Sequence, residues 1–322
     1  MKLGVLTNLF GNMEFEKALE KFESMGIEAV EIGCGGYPGK AHCDPEKLLS
    51  DDAALSAWLD TLKRHNLEIS NLSVHGNPVH PDKAEAKRYH DDFVNAVLLA
   101  EKIGIDTIVT FSGCPGGSPE DKMPNWVTCP WPEEYLQVLD YQWNEVLIPY
   151  WKKTAEFAKA HGVTKIAFEM HPGFCVYNPE TLLRLRKEVG EVIGANFDPS
   201  HLIWQGIDPV AAIRELKGAI YHFHAKDTKI DKYNTAKFGV LDTKHYSDEA
   251  NRAWIFRSVG YGNGLDYWRD MISNLRLVGY DKVMSIEHED SLMTPEEGLA
   301  HAVEFLKESI IKAPKPATMS WA

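Results

Sequence analysis

The chain has 322 residues, 44% apolar and 25% charged, and its 34 Lys plus Arg against 47 Asp plus Glu leave a formal charge of −13. Those values exclude extensive disorder, a collagen repeat and a coiled coil, and the acidic balance disfavours a nucleic-acid binder that works by neutralising phosphates. No apolar run approaches the ~18 residues that point to a membrane span, and Met1–Thr7 reads as a first strand rather than a signal peptide, so a cytoplasmic protein is expected. Cys34, Cys43, Cys114, Cys129 and Cys175 are odd in number and lack zinc-finger or C-x-x-C spacing, which predicts free thiols.

Along the chain, short β-branched runs alternate with amphipathic stretches. Lys2–Thr7 is a strand, followed by a helix over Glu14–Met25 with Phe15, Ala18, Leu19, Phe22 and Met25 on one face and Gly26 at its stop. Ala29–Gly33 is strand-like, Asp52–His65 helical and Leu67–His75 a strand. Glu85–Ile103 is helical up to Gly104, Asp106–Phe111 is the fourth strand, and a long connection leads to a helix over Glu145–His161. In the second half Lys165–Met170 is a strand, Asn178-Pro179 opens a helix, Val192–Asp198 is a strand and Asp208-Pro209 opens a short helix. Ala219–Ala225, helical Leu265–Leu275 and strand Lys282–His288 follow, and Thr294-Pro295-Glu296-Glu297 caps the last helix.

Eight strand–helix pairs in order predict an α/β protein, a single (β/α)8 TIM barrel over residues 1–311, with 312–322 as an extended tail ending near Trp321. A doubly wound open sheet is the competing fold. The run Gly33-Cys34-Gly35-Gly36-Tyr37-Pro38-Gly39 lacks G-x-G-x-x-G spacing and has a proline where a helix should start, so it reads as a loop at the barrel mouth. Ser112–Pro132, after strand four, and Lys226–Gly264, after strand seven, are too long for plain connectors. Both fall on the face where barrel active sites lie, as lids, substrate walls or subunit contacts.

Acids and histidines concentrate where the last four strands leave the barrel: Glu169 and His171, Asp198 and His201, His224, Lys226 and Asp227, and Glu287. Glu169, Asp198, His224 and Glu287 are the strongest candidates, the first two intervals matching one βα unit and the third one unit plus the long connection. Three carboxylates and an imidazole converging at a rim demand either raised pKa values or a cation. A set this rich in oxygen suits one divalent metal ion, Mn2+ first, with Mg2+, Co2+ or Zn2+ as alternatives. The competing reading makes each acid half of a rim salt bridge. His75 and Asn77, directly after strand three, should face the mouth, with a core histidine as the alternative for His75. His171 is read as a proton carrier, and Lys226 either pairs with Asp227 or stabilises an oxyanion. Trp126, Trp131, Tyr135, Tyr141 and Trp143, or the pair Phe10 and Tyr37, offer an apolar wall for a sugar ring or an aromatic aglycone.

The run of Glu169, Asp198-x-x-His201, His224-x-Lys226-Asp227 and Glu287 resembles the xylose isomerase-like TIM barrel family of sugar isomerases and epimerases, over essentially the whole chain. The resemblance implies that Glu169, Asp198, His224 and Glu287 hold a metal, that Glu169 and Glu287 also serve as acid/base groups, and that His201 contacts substrate. Ketose 3-epimerases carry an arginine six residues beyond the strand-seven histidine, where this chain has Ile230. The implied chemistry removes a proton α to a carbonyl of a keto-sugar or oxidised sugar, through a metal-stabilised enediolate. Reprotonation on the other face is epimerisation, and transfer to the neighbouring carbon is isomerisation. Loss of a β-substituent is elimination, as in the 3-oxo-glycoside branch that resembles the large subunits of C-glycoside deglycosidases. A non-catalytic sugar-binding subunit is the further alternative. The expected partners are a small-molecule sugar or glycoside, with neither nucleic acid nor membrane, in an oligomer that could include the small partner subunit of that branch.

Overall fold

The alternating periods resolve into eight parallel strands closed into a barrel, in a computed structural model that describes residues 1–316. The strands are β1 (Lys2–Leu6), β2 (Ala29–Gly33), β3 (Glu68–Ser73), β4 (Thr107–Thr110), β5 (Lys165–Glu169), β6 (Ile193–Phe197) and β7 (Ile220–Ala225). An antiparallel hairpin, β8 (Asp227–Ile230) with β9 (Trp254–Arg257), interrupts the series before β10 (Val283–Ile286) closes the barrel between β7 and β1. Trp321 lies outside the described residues.

Many of the crossover helices start where a short polar side chain can take the first free N–H groups. Asp51 accepts from Ala53 and Ala54 ahead of the helix Asp52–Arg64, and Asp82 from Ala84 and Glu85 ahead of the helix Lys83–Ile103. Asn178-Pro179, Asp198-Pro199, Asp208-Pro209 and Thr294-Pro295 open helices Pro179–Val189, Pro199–Trp204, Pro209–Glu215 and Pro295–Ser309 with a cap and a first-turn proline. The helix expected over Glu145–His161 begins earlier, at Glu134, and passes through a wide π segment, Tyr141–Leu147, before continuing as Ile148–Ala160. The wide turns fall just before Pro149, whose ring and missing N–H do not fit a regular α-helical interior.

Strand alternation divides the interior in two. Outward side chains such as Val30, Ile32, Ile166, Phe168, Phe197 and Phe223 pack under the helices with Phe22, Phe93, Trp151, Leu185 and Trp268, forming one continuous apolar shell. Inward side chains are largely polar: Glu31, Asn71, Ser73, Glu169, Asn196, His222, His224 and Ser285 are all buried. Register sets them side by side, Glu31 beside Asn71, Glu169 beside Asn196, Asn196 beside His222 and His224 beside Ser285.

The connection Lys226–Gly264 is more than a loop. Besides the β8/β9 hairpin it carries a helix, Lys232–Phe238, and a small core in which its Ala253, Trp254 and Phe256 pack with Ile230, Val240 and, from the barrel, Trp204. Arg252 is buried against the rings of Tyr246 and Trp254 at 4.5 and 4.6 Å. Asp227 fastens the base of this insertion. Its carboxylate accepts from the backbone N–H of Thr228, Gly260, Gly262 and Asn263, from Asn263 Nδ2 at 2.7 Å and from Trp268 Nε1 at 3.2 Å. Asp227→Ala strands these donors in a buried space and is expected to cost about 3 kcal/mol or more in denaturant unfolding, with Tm lowered by roughly 6 °C or more. A change below about 1 kcal/mol would show that the clamp contributes little.

Candidate active site

Each candidate ligand stands at the carboxyl end of a barrel strand, where the chain leaves the sheet. Glu169 is the last residue of β5, His224 the penultimate residue of β7, and Asp198 and Glu287 directly follow β6 and β10. One ligand atom from each of Glu169, Asp198, His224 and Glu287 lies within 4.8 Å of all the others. Local chemistry aims them. Asp198 caps the short helix Pro199–Trp204 by accepting from Ser200 N at 2.8 Å through Oδ1, which leaves Oδ2 turned to the cluster. The same helix brings His201 one turn on, with Nε2 donating to Glu169 Oε1 at 3.0 Å. Glu169 Oε2 accepts from His75 Nε2 at 2.9 Å and Asn196 Nδ2 at 3.2 Å.

Electrostatics explain how the carboxylates stay together. Lys226 is buried with its ammonium 3.1 Å from Asp198, 2.8 Å from Glu287 and 2.9 Å from Glu289. Burial alone would strip its proton, but Asp198, Glu287 and Glu289 hold it charged. Burial likewise pushes Glu169 upward, yet hydrogen bonds from His201 and His75 and the charge of His224 keep its carboxyl well below the ordinary range. For Glu287, burial is outweighed by Lys226 and His224, which bring it down to about 2. Asp198 goes the other way: burial, only partly opposed by Lys226, raises it to about 7. His224 is held well above the imidazole range because Glu31 and Glu287 outweigh its burial.

The donor set fits a divalent cation. Asp198 Oδ2, His224 Nδ1 and Glu287 Oε2 are buried without a hydrogen-bond partner. His224 Nδ1 is 3.1 Å from Glu287 Oε2 and 3.2 Å from Glu169 Oε2, close enough for ion pairing but misaligned for hydrogen bonds. With the His224 Nδ1 proton lost, these atoms turn lone pairs toward one another that Lys226 meets from one side only, which calls for a positive centre between them. Once Asp198 and His224 have given up their protons, three carboxylates against the Lys226 ammonium leave two negative charges among these residues, the number a divalent ion offsets.

Above the cluster opens a cavity of about 450 Å³ bounded by Leu6, Asn8, Tyr37, Pro38, His75, Phe111, Glu169, His171, Phe174, Glu287 and Glu289. The glycine-rich run supplies Tyr37: Gly36, at φ +61°, packs so tightly on the His75 carbonyl that a Cβ would sit 1.8 Å from its oxygen. A second chamber, about 420 Å³, shares His171 and Glu289 and is lined by Tyr246, Ile255, Phe256 and Ser291. A larger cavity of about 640 Å³ opens at the other end of the barrel among the Lys2–Glu68 and Lys312–Glu28 pairs, but it holds none of the clustered ligands.

Several expectations are revised. Asn77 does not reach the cavity, because its amide donates to the Cys114 carbonyl at 2.9 Å and its oxygen accepts the Cys114 N–H at 3.0 Å. Lys226 and Asp227 do not pair; they serve the cluster and the insertion clamp respectively. Lys226 and His201 contact the cluster rather than lining the cavity. The aromatic wall comes from Tyr37, Phe111 and Phe174, with Phe111 stacked on Phe174 at 4.3 Å. Trp143 and Phe10 belong to the core, and Trp131 is exposed. Glu31 and Glu289 join the site from outside the candidates named above, Glu31 on His224 and Glu289 on Lys226. A lone glutamate in the apolar run Ala29–Gly33 was the available signal for the first, and its place two residues beyond Glu287 for the second.

A model of the xylose isomerase-like TIM barrel matches residues 19–309. The chain belongs to that family. It is 41% identical to the uncharacterized protein YfiH of Bacillus subtilis (strain 168), over 96% of this chain and 99% of that one. It is 23% identical to an inosose dehydratase of Mesomycoplasma hyopneumoniae (strain J), over 95% and 92%. The solved structure of IolI with a bound zinc atom superposes at TM-score 0.65 and 19% identity, covering 96% of this chain and 98% of that one. Sugar epimerases and dehydratases are thus among the proteins it is similar to. No helix among the described residues is long and apolar enough to cross a membrane.

Because Asp198 keeps its proton below about pH 7 and His224 keeps a second proton above the usual range, an incoming cation must displace both. Affinity for Mn2+ or Zn2+ is therefore expected to rise with pH through neutrality, with proton release seen by calorimetry in buffers of different ionisation enthalpy. Affinity unchanged from about pH 6 to about pH 8 would contradict the assignment of these ligands.

Proposed function

We propose that this chain is a divalent-metal-dependent enzyme of the sugar isomerase/epimerase type, which removes a proton from the carbon next to a carbonyl in a keto-sugar or oxidised sugar derivative. The observation that carries this reading is the convergence of Glu169, Asp198, His224 and Glu287 within 4.8 Å at the floor of a cavity that also exposes His171. A divalent ion held there supplies Lewis acidity toward the carbonyl. The oxygen-rich set favours Mn2+, and the zinc in the IolI structure makes Zn2+ the first alternative to test.

The proton-handling groups differ in freedom. Glu169 is fastened by His75, His201 and Asn196, so it orients more than it moves. Glu287 is ionised and keeps 17% of its side chain exposed, so its carboxylate is within reach of the proton, and it gains basicity as the Lys226 and His224 contacts that lower it to about 2 loosen. Burial holds His171 neutral. With Nδ1–H donated to the Pro172 carbonyl at 2.5 Å, the Nε2 lone pair of His171 is left to carry a proton.

A second reading, elimination from a 3-oxo-glycoside, is favoured by the adjoining chamber. A ketone at C3 acidifies the C2 proton, and the C1 substituent then departs with its bonding electrons. The chamber lined by Tyr246, Ile255 and Phe256 has room for such a substituent, and His171 and Glu289 stand at the junction. The likeness to an inosose dehydratase supports an elimination outcome.

Incubation with Mn2+ in deuterated water, using keto-sugars and 3-oxo-glycosides, tests the shared step and identifies the product. Exchange at the α-carbon is expected in the wild type and absent in Glu287→Gln; full retention in the variant would remove Glu287 as both ligand and base. His171→Asn should lose about 10²- to 10⁴-fold in turnover, whereas a ring that only packs leaves turnover near wild type.

A further inference from the structure

One layer beneath the cavity, Glu31 is fully buried inside the barrel, lines neither chamber and belongs to no ligand position of the cluster. Four donors from three other strands converge on it. Ser73 Oγ donates to Oε1 at 2.8 Å. Oε2 accepts from His222 Nε2 at 2.8 Å, His224 Nε2 at 2.9 Å and Ser285 Oγ at 2.8 Å. These four bonds take up the roughly four lone-pair sites of a carboxylate, three of them converging on Oε2, and each is at ordinary hydrogen-bond length.

The contact with His224 has a directional consequence. An imidazole has two nitrogens, and the hydrogen bond made by one decides what the other presents. Since Glu31 takes the Nε2–H, the coordinating lone pair of His224 must be on Nδ1, the atom that faces Glu169 and Glu287 at 3.2 and 3.1 Å. The Ser73 hydroxyl that touches Glu31 also lies 3.2 Å from His75 Nδ1, and His75 reaches Glu169, so Glu31 connects to a second member of the cluster from below.

We infer that Glu31 is a positioning residue for the metal centre: by accepting the Nε2–H of His224 it fixes Nδ1 as the coordinating nitrogen and orients the ring. This rests on the reading that Glu169, Asp198, His224 and Glu287 bind a divalent cation. Glu31, His222 and His224 also lie close enough to form a cation site of their own. The two serine hydroxyls and two imidazole N–H groups already occupying the carboxylate favour a hydrogen-bonded brace over a second ion.

The full chain is titrated with Mn2+ or Zn2+ alone, in competition with a chromophoric chelator and without substrate. Wild type is expected to bind one ion per chain, and Glu31→Gln to bind it about 10- to 100-fold more weakly while keeping the wild-type circular dichroism. Nitrogen-15 NMR of the zinc-loaded, histidine-labelled wild type supplies a readout independent of how the variant folds. His224 should show a metal-bound Nδ1 and a protonated Nε2, its signals identified by their loss in His224→Asn. Coordination through Nε2, two ions per chain, or a folded Glu31→Gln whose affinity is within about twofold of wild type would each overturn the role of Glu31 and leave the four-residue cluster standing. A wild type that binds no divalent ion sinks both readings.

Discussion

Carboxylates crowded into a space nearly closed to water repel one another, and the centre of this barrel is organised around that repulsion. Two like charges about 4 Å apart cost on the order of 4 kcal/mol even at an effective dielectric near 20. Glu169, Asp198 and Glu287 are kept at such range by Lys226 on one side and His224 on the other, with His75 and His201 donating to Glu169. The compensation is incomplete. Asp198 is driven toward protonation, and three ligand atoms are left without hydrogen-bond partners. A centre left short of positive charge is a centre prepared to take a cation.

The frame can carry this strain because its stability comes from elsewhere. The apolar shell between strands and helices is continuous around the barrel, so the lumen is free to hold polar side chains whose requirements are met pairwise by register. Glu31, Ser73, His222 and Ser285 illustrate the arrangement, each buried and each supplied with a partner from another strand. Polar groups in such a lumen are costly only when unpaired.

Much of the fold was legible because most strands are short apolar runs closed by a polar residue, and because Asn178-Pro179, Asp208-Pro209 and Thr294-Pro295 mark helix starts. The candidate ligands stood out for the same reason: residues at the carboxyl ends of parallel strands share one rim whatever the loops do. Less legible was anything that depends on a partner chosen in space. Asn77 follows a strand as His75 does, but its amide is consumed by the backbone of Cys114, a pairing no local pattern encodes. Trp143 sits in a helix whose period was blurred by the π segment before Pro149, so its place in the core was hidden. The insertion after β7 read as a loop because its hairpin strands, Asp227–Ile230 and Trp254–Arg257, are far apart in sequence and only four residues long each.

Lys226 and Asp227 are neighbours with opposed duties, one side chain turned to the cluster and the next fastening Gly260–Asn263. The hairpin that begins at Asp227 is therefore a neck whose root is already anchored before the variable part of the insertion starts. Residues between Ile230 and Trp254 hang beyond that root, around a small aromatic core shared with Trp204 of the barrel. Changes confined to the far end of this module would reshape the chamber wall at Tyr246 while the root at Asp227 and the ring of Phe256 on His201 stay where they are, much as a tool head is changed on a fixed handle.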